Sequence, residues 1–184
     1  MKLALFDLDG TLFDTKSVNF HAYNEALEKF SCAMDYDYYC SFCNGRHYRE
    51  FLPQIVGYDE TVLEAVHRDK KRLYAKHLDK AVINEPLFHI IRLMKPECKT
   101  AVVTTASKAN CMDILEHFKV TGLFDLLLTH NDITRLKPDP EGFLKAMEYF
   151  GVAPEDTVIF EDSEVGLEAA ARSGAFYYKT FGFN

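Results

Sequence analysis

The chain has 184 residues, of which 48% are hydrophobic and 27% charged, and its formal net charge at pH 7 is −7. This balance is that of a folded globular protein and excludes a disordered chain. The negative charge argues against nucleic acid or an anionic membrane as the main partner, but a small anionic substrate can still bind in a locally positive pocket. The length accommodates one domain with a sizeable insertion.

The N-terminal residues and the cysteines indicate a soluble, cytoplasmic protein in a reducing compartment. Asp7 interrupts the first apolar run too early for a secretory signal, and no apolar stretch reaches transmembrane length. The five cysteines are odd in number. Cys40 and Cys43 have C-x-x-C spacing, but no second pair completes a zinc site. We therefore expect thiols that serve in packing.

Short apolar runs predict the strands of a parallel sheet. The first, Leu3–Phe6, ends in an Asp-Leu-Asp-Gly turn. Comparable runs follow at residues 100–103, 124–128 and 157–160, with a weaker one at 175–178. Apolar residues at helical spacing lie between them, and Asp139 and Pro140 mark the start of one such helix. Apolar strands that alternate with helices indicate a Rossmann-like, doubly wound α/β fold.

The interval 15–81 breaks this alternation and predicts a helical insertion after the first strand. It contains no comparable strand run, and its apolar residues recur at helical spacing, from Val18 to Phe30 and again from Val62 to Leu78. We therefore predict an α/β core formed by residues 1–14 and 82–184, with an inserted helical cap at 15–81.

Four motifs carry residues suited to chemistry, and each follows a predicted strand. Ligands of open α/β sheets bind beyond the carboxyl ends of the strands, so the motifs are expected to meet at one place. They are DLDGT at residues 7–11, VTTAS at 103–107, RLKPDP at 135–140 and FEDS at 160–163.

The acidic motifs suit a hard metal ion. Asp7 and Asp9, two residues apart where a strand ends, can project into one crevice, and the adjacent acids Glu161 and Asp162 offer oxygen ligands to magnesium. Each motif alone also has a structural interpretation, as a turn that ends a strand or as acids that favour a helix N-terminus.

The other two motifs suit an anion. Thr104 and Thr105 offer hydroxyl and backbone N–H donors at a helix start, which is an arrangement that binds phosphate. Pro138 and Pro140 stiffen the chain after Lys137 and would hold its ammonium group on a fixed stem. Alone, the threonine motif is typical of a helix cap and the lysine motif of a solvated loop. Only the combination of the four motifs favours chemistry.

In this order the four motifs resemble those of the haloacid dehalogenase superfamily, in its phosphatase and β-phosphoglucomutase-like branch with a helical cap. The resemblance covers essentially the whole chain, and D-x-D-G-T after an N-terminal strand is its most specific part. It implies a Mg²⁺ cofactor and hydrolysis of a small phosphate monoester through an aspartyl phosphate. We expect a small phosphorylated metabolite as partner and a monomer or weak homodimer.

The resemblance also implies roles for individual residues. Asp7 corresponds to the nucleophile and Asp9 to the general acid and base. Thr104, or Thr105 if the alignment slips by one residue, corresponds to the phosphate-binding hydroxyl, and Lys137 to the lysine that balances charge. The implied magnesium ligands are the Asp7 carboxylate, the Asp9 backbone carbonyl and Asp162, with Glu161 as direct or indirect support.

Other functions remain open. Hydrolysis of a sugar phosphate or a phosphoglycolate-like ester is favoured over a phosphosugar mutase resembling β-phosphoglucomutase, because Thr11 follows Gly10 and Asn19 stands where the mutase would place a cap histidine. A dehalogenase would not need Asp9. A phosphonate hydrolase would need a reactive cap lysine, whereas the cap lysines are expected to face solvent on a charged helix; they are Lys70, Lys71, Lys76 and Lys80. A non-enzymatic binding module on this scaffold is expected to have lost the nucleophile or a metal ligand, and here every motif position is filled.

Substrate choice is expected to come from the inserted helical cap. Residues 44–47 combine a glycine turn with Arg46, although a helix start with exposed charge explains them equally well. His21 and Tyr23 are weaker candidates. The chain ends soon after the fifth predicted strand, at residues 181–184, so the far sheet edge is expected to be short or covered by a partner.

Overall fold

A computed structural model describes residues 1–181 and 183 of the chain. These residues form two compact units, one made of Met1–Asp14 and Val82–Asn184, the other of Thr15–Ala81. We refer to them as the core unit and the cap unit. No helix within the described part of the chain is both long and apolar enough to cross a membrane.

The core unit is built on a five-stranded sheet in which every neighbouring pair is parallel. In chain order the strands are β1 (Leu3–Phe6), β2 (Phe13–Asp14), β3 (Val82–Ile83), β4 (Lys99–Val103), β5 (Leu126–Leu128), β6 (Thr157–Glu161) and β7 (Phe176–Lys179). The sheet has the order β5-β4-β1-β6-β7, whereas β2 and β3 form a separate antiparallel pair. The expected α/β fold with a parallel sheet is confirmed.

Helices connect the strands of the core unit and form the cap unit. In chain order they are α1 (Lys16–Glu28), α2 (Tyr36–Tyr38), α3 (Tyr48–Phe51), α4 (Pro53–Val56), α5 (Glu60–Leu73), α6 (Glu85–Met94), α7 (Lys108–His117), α8 (Glu141–Phe150) and α9 (Glu164–Ser173). A π-helical turn covers Tyr39–Cys43, and 3₁₀ turns cover Tyr74–Lys80, Thr121–Leu123 and Pro154–Asp156.

Close packing of α8 against the sheet fixes the segment that precedes it. Phe143 on α8 and Val103 on β4 are buried in one hydrophobic cluster. A Cβ atom on Gly142 would lie 2.8 Å from Val103 Cγ1, so a glycine at this position permits the close approach. Burial of a large side chain such as Phe143 contributes about 1.5–3 kcal/mol. The start of α8 is therefore held in place, only four residues after Lys137.

The cap unit is helical, as expected, and has a core of its own. Residues such as Tyr23, Leu27 and Leu63 are buried in one cluster. The predicted helix through Leu78 is shorter than expected, because α5 ends at Leu73 and a 3₁₀ turn follows.

One prediction about the cap lysines was wrong. Of the four lysines expected to face solvent, Lys71 and Lys76 are exposed and Lys80 is partly buried, as is Lys70. Its Nζ atom lies 5.2 Å from the centre of the Tyr23 ring and 5.4 Å from that of Tyr74. Such cation–π contacts hold the ammonium against the cap core, which the helical pattern of charges did not reveal.

The cap core also contains a histidine that resists protonation. The His67 ring stacks on Tyr48 at a centroid distance of 4.0 Å, and its Nδ1 atom lies 3.4 Å from the Tyr23 hydroxyl. Burial, followed by the charges of Lys71 and Lys70, lowers the pKa of His67 from 6.5 to about 3. A histidine with a lowered folded-state pKa contributes stability above its unfolded pKa, which is lost as the pH falls towards the folded value.

We therefore expect His67→Gln to flatten the pH dependence of cap stability below pH 6.5. Glutamine carries no ionisable group, so it removes the cost of protonating the partly buried ring. The measurement is the urea midpoint at neutral and mildly acidic pH. His89→Gln, which changes an exposed histidine on α6, is the matched control. Equal acid sensitivity of the parent and His67→Gln would contradict the prediction.

The far edge of the sheet is formed by β7. This strand has four residues, all exposed, and pairs with β6 on one side. Phe176 and Tyr178 are 67% and 63% exposed. The edge is therefore short, which was one of the two expectations for it. That expectation extended to residues 182 and 184, which lie outside the described residues.

Candidate active site

Asp7 and Glu161 leave the sheet side by side. Phe6, the last residue of β1, is in register with Val102 on β4 and with Phe160 on β6. The Asp7 backbone N–H then donates to the Phe160 carbonyl at 3.0 Å. Because the strands are parallel, the residues that follow them emerge at one edge of the sheet. Glu161, next after Phe160, therefore neighbours Asp7.

Lys137 joins these two carboxylates. Its Nζ atom lies 2.5 Å from Asp7 Oδ1 and 2.6 Å from Glu161 Oε2. The side chains of Lys137, Asp7 and Glu161 are 8%, 10% and 1% exposed. Burial alone would lower the pKa of Lys137, but the two carboxylates outweigh it and raise the pKa, so the ammonium keeps its charge. A buried cation thus faces Asp7 directly.

Glu141 fixes the segment that carries Lys137. The Glu141 carboxylate accepts hydrogen bonds from the Thr134 and Arg135 backbone N–H groups, each at 2.9 Å, and pairs with Lys145 at 2.7 Å. The bond from Lys145, with the two backbone bonds, lowers the pKa of Glu141 to about 2. Residues 134 to 141 therefore form a closed loop on the N-terminus of α8.

Three carboxylates gather at the edge of the sheet. Asp7, Glu161 and Asp162 each offer an oxygen, and these oxygens lie within 4.8 Å of one another. Burial raises the pKa of Asp7 well above its usual range, and burial also raises that of Asp162. Three carboxylates therefore share this place with one ammonium group, that of Lys137. A hard divalent cation with oxygen ligands fits this donor set.

The oxygens of Glu161 already have partners. Its Oε1 atom accepts from the Ser163 hydroxyl at 2.8 Å and from the Ser163 and Asp162 backbone N–H groups, while Oε2 faces Lys137. A Cβ atom on Gly166 would lie 2.0 Å from Glu161 Cδ, so the glycine makes room for this carboxylate under the first turn of α9. Glu161 thus braces the loop that carries Asp162.

The turn that carries Asp9 touches Asp162. Gly10 has φ of +91°, and its N–H donates to the Phe13 carbonyl at 2.7 Å. A Cβ atom on Gly10 would lie 2.2 Å from Asp162 Oδ2, so both the backbone conformation and the contact require glycine. Asp9, the residue before it, is partly buried in this turn.

The predicted phosphate-binding segment follows β4 at the same edge of the sheet. Thr104 is buried, its N–H donates to the Leu128 carbonyl at 2.9 Å, and its hydroxyl oxygen accepts from the Ala106 N–H at 3.0 Å. Thr105 is exposed. Ser107 caps α7 by accepting from the Asn110 N–H. Since β4 is paired with β1, this segment emerges beside the residues that follow Asp7.

The candidate specificity residues Arg46, His21 and Tyr23 belong to the cap unit, and Tyr23 is buried in its core. Arg46 is exposed in a turn where Gly45 has φ of +78°, and His47 directly after it caps α3. The helix start with exposed charge is therefore present, and the role of Arg46 in substrate choice stays a prediction. His21 lies on α1, with Nδ1 2.8 Å from the Ser17 carbonyl. The carboxylate group described above is formed by the core unit alone.

Sequence reasoning missed Asn84, which contacts the segment beside the Asp9 turn. It caps α6 and also contacts the Thr11 carbonyl. An asparagine followed by Glu85 and Pro86 is a helix-start signal, so the cap was recognisable. The contact with Thr11, 73 residues away in the chain, has no local signal.

Comparison with known proteins agrees with this geometry. The model of the haloacid dehalogenase-like hydrolase family matches residues 4–178. The chain belongs to this family. The phosphorylated carbohydrates phosphatase of Thermotoga maritima is 30% identical over 181 residues, which is 95% of this chain and 82% of that protein. The β-phosphoglucomutase of Bacillus subtilis is also 30% identical, over 96% of this chain and 81% of its own length.

Solved structures of haloacid dehalogenase-like hydrolases have the same fold. CbbY from Rhodobacter sphaeroides, crystallised with phosphate, superposes with a TM-score of 0.85 and covers all of this chain and 87% of its own. Its 23% sequence identity supports the fold alone. The recognition of this superfamily from four short motifs is confirmed.

Proposed function

We propose that this haloacid dehalogenase-like hydrolase is a Mg²⁺-dependent phosphatase that acts on a small phosphate monoester through an aspartyl phosphate on Asp7. The observation that carries the proposal is the arrangement of Asp7, whose buried carboxylate lies 2.5 Å from the Lys137 ammonium and beside Glu161 and Asp162. A carboxylate attacks a phosphate dianion against strong repulsion, so this chemistry needs cations close to the nucleophile.

In the first step, Asp7 attacks phosphorus, the bond to the ester oxygen breaks, and Asp9 donates a proton to the leaving alcohol. In the second, Asp9 takes a proton from water, which attacks phosphorus and releases phosphate and free Asp7. Lys137 balances the charge on Asp7 and the phosphoryl oxygens, and the Thr104 hydroxyl and the Thr105 N–H bind those oxygens.

Asp7, Asp162 and the Asp9 carbonyl would hold the magnesium ion, with Glu161 as support through the loop that it braces. The ion supplies positive charge that lets an anionic nucleophile approach an anionic ester. The position of Asp7 and Asp162, whose carboxylate oxygens lie within 4.8 Å of each other and of one from Glu161, supports this assignment.

The chain is a phosphoric monoester hydrolase, and we propose a phosphorylated sugar or a phosphoglycolate-like ester as its substrate class. The T. maritima relative, named as a phosphatase of phosphorylated carbohydrates, supports sugar phosphates. A phosphosugar mutase is the second candidate, because the β-phosphoglucomutase of B. subtilis has the same 30% identity. Thr11 after Gly10 favours the hydrolase.

The test is release of inorganic phosphate from a panel of phosphorylated sugars and phosphoglycolate, with Mg²⁺ and with a chelator. We expect turnover that requires Mg²⁺, and a rise of about 10- to 100-fold in the half-saturating Mg²⁺ concentration in Asp162→Asn, as is typical for a weakened metal site. Conversion of β-glucose 1-phosphate to glucose 6-phosphate without net phosphate release would favour the mutase. Equal turnover with and without Mg²⁺ would contradict the proposal.

A further inference from the structure

Asn84 bonds to two separate segments of the core unit, the start of α6 and the segment that follows the Asp9 turn. It directly follows β3, its side chain is buried, and its Oδ1 atom accepts from the Leu87 N–H at 3.2 Å, which caps α6. Its backbone N–H donates to the Leu12 carbonyl at 3.0 Å. The residue thus ties the start of α6 to the segment that follows the Asp9 turn.

The other end of the Asn84 amide reaches this turn directly. Its Nδ2 atom donates to the Thr11 carbonyl at 2.9 Å. The Thr11 side chain is fully buried, and its hydroxyl donates to Asp162 Oδ1 at 2.9 Å. Thr11 is therefore bonded to Asn84 through its carbonyl and to Asp162 through its hydroxyl, which links the helix cap to a carboxylate of the site.

We infer that Asn84 is a positioning residue for the metal site, acting through Thr11 on Asp162 and on the turn that carries Asp9. This inference rests on the proposed function, because it concerns the magnesium ion of that site. An unpaired buried carbonyl is costly, so the amide of Asn84 selects the conformation of the turn in which its bond to Thr11 is made. That conformation also aims the Thr11 hydroxyl at Asp162.

Both ends of the amide are needed for this role. The side chain must accept a bond from the N–H of Leu87 and donate one to the carbonyl of Thr11 at the same time. Aspartate has the same size and caps a helix as well as asparagine does, but its ionised form cannot donate. Asn84→Asp therefore keeps the cap and removes the contact with the turn.

The test compares Asn84→Asp and Thr11→Val with the full-length parent. Magnesium binding is measured by calorimetry with MgCl₂ and by the Mg²⁺-dependent shift in melting temperature, in addition to phosphate release. Loss of a residue that supports a metal ligand typically weakens metal affinity by about 10- to 100-fold, and we expect this loss in both variants. The double variant is expected to lose little more than either single one, because both changes break the same chain of bonds.

Asp59→Asn is the matched control, since Asp59 caps α5 in the cap unit by accepting from the Thr61 N–H. We expect its magnesium affinity to equal that of the parent. Parental affinity in Asn84→Asp, folded by circular dichroism, would overturn the inference. If Asn84→Asp does not fold, parental magnesium affinity in Thr11→Val would overturn the inference. A parent that neither binds Mg²⁺ nor releases phosphate would instead refute the proposed function.

Discussion

Asp7→Asn is expected to reduce phosphate release by about 10⁴-fold or more, because loss of a nucleophile removes the covalent route altogether. Asparagine has nearly the shape of aspartate and can still accept a hydrogen bond from Lys137, so the variant is expected to fold. The measurement is single-turnover and steady-state phosphate release at saturating Mg²⁺. In the parent, a rapidly quenched reaction with ³²P-labelled substrate is expected to leave label on the protein, and in Asp7→Asn it is not.

The matched control is Asp113→Asn, the same change at a partly buried residue of α7. We expect it to retain parental activity within a few-fold, since Asp113 takes no part in the proposed chemistry and most such substitutions have small effects. Label that persists on Asp7→Asn would assign the nucleophile to another residue. Activity within tenfold of the parent would remove Asp7 from the mechanism.

The sequence predicted the sheet because buried parallel strands are apolar along their whole length. The boundaries were less accurate. The run 124–128 was expected to be a strand, whereas β5 begins at Leu126. Asp125 interrupts the apolar pattern there, and its carboxylate accepts from the Thr100 N–H at 3.0 Å. The Asp125 side chain thus pairs with a backbone N–H at the start of β4, so this residue stabilises the sheet without being part of β5.

Contacts between distant residues were beyond the reach of sequence patterns. β2 and β3 have two residues each and pair Phe13 with Ile83, across the whole insertion. No periodicity is detectable in two residues. The bond from Asn84 to Thr11 lies beside this pair and also joins residues on either side of the insertion. It therefore depends on where the chain returns after residues 15–81, which no local pattern predicts.

For the candidate site, the topology carried more information than any motif alone. Once the strands are parallel, residues that follow them meet at one edge, and the structure brings Asp7, Lys137, Glu161 and Asp162 together there. Their catalytic roles stay a prediction. The resemblance left open whether Glu161 is a direct ligand or an indirect support, and the bonds of Glu161 to Ser163 and Lys137 favour a bracing role for it.

Lys137→Met is expected to have two separable effects, because Lys137 is both the counter-ion of two buried carboxylates and the cation beside the nucleophile. Without it, Asp7 and Glu161 face each other unpaired, and removal of one partner of a buried ion pair typically costs about 3–5 kcal/mol of unfolding free energy. Mg²⁺ is expected to restore part of this stability. The measurement is urea unfolding with and without Mg²⁺.

The loss of activity is expected to persist at saturating Mg²⁺. Removal of one group that stabilises transition-state charge typically reduces kcat by about 10²- to 10³-fold. A magnesium ion held jointly by Asp7 and Asp162 would not replace the second cation, which Lys137 holds 2.5 Å from Asp7. Lys95→Met is the control, since Lys95 pairs with Asp125 at 2.7 Å but is 28% exposed. Such a pair contributes about 1 kcal/mol or less. Equal losses in the two variants would mean that Lys137 acts as an ordinary ion-pair residue.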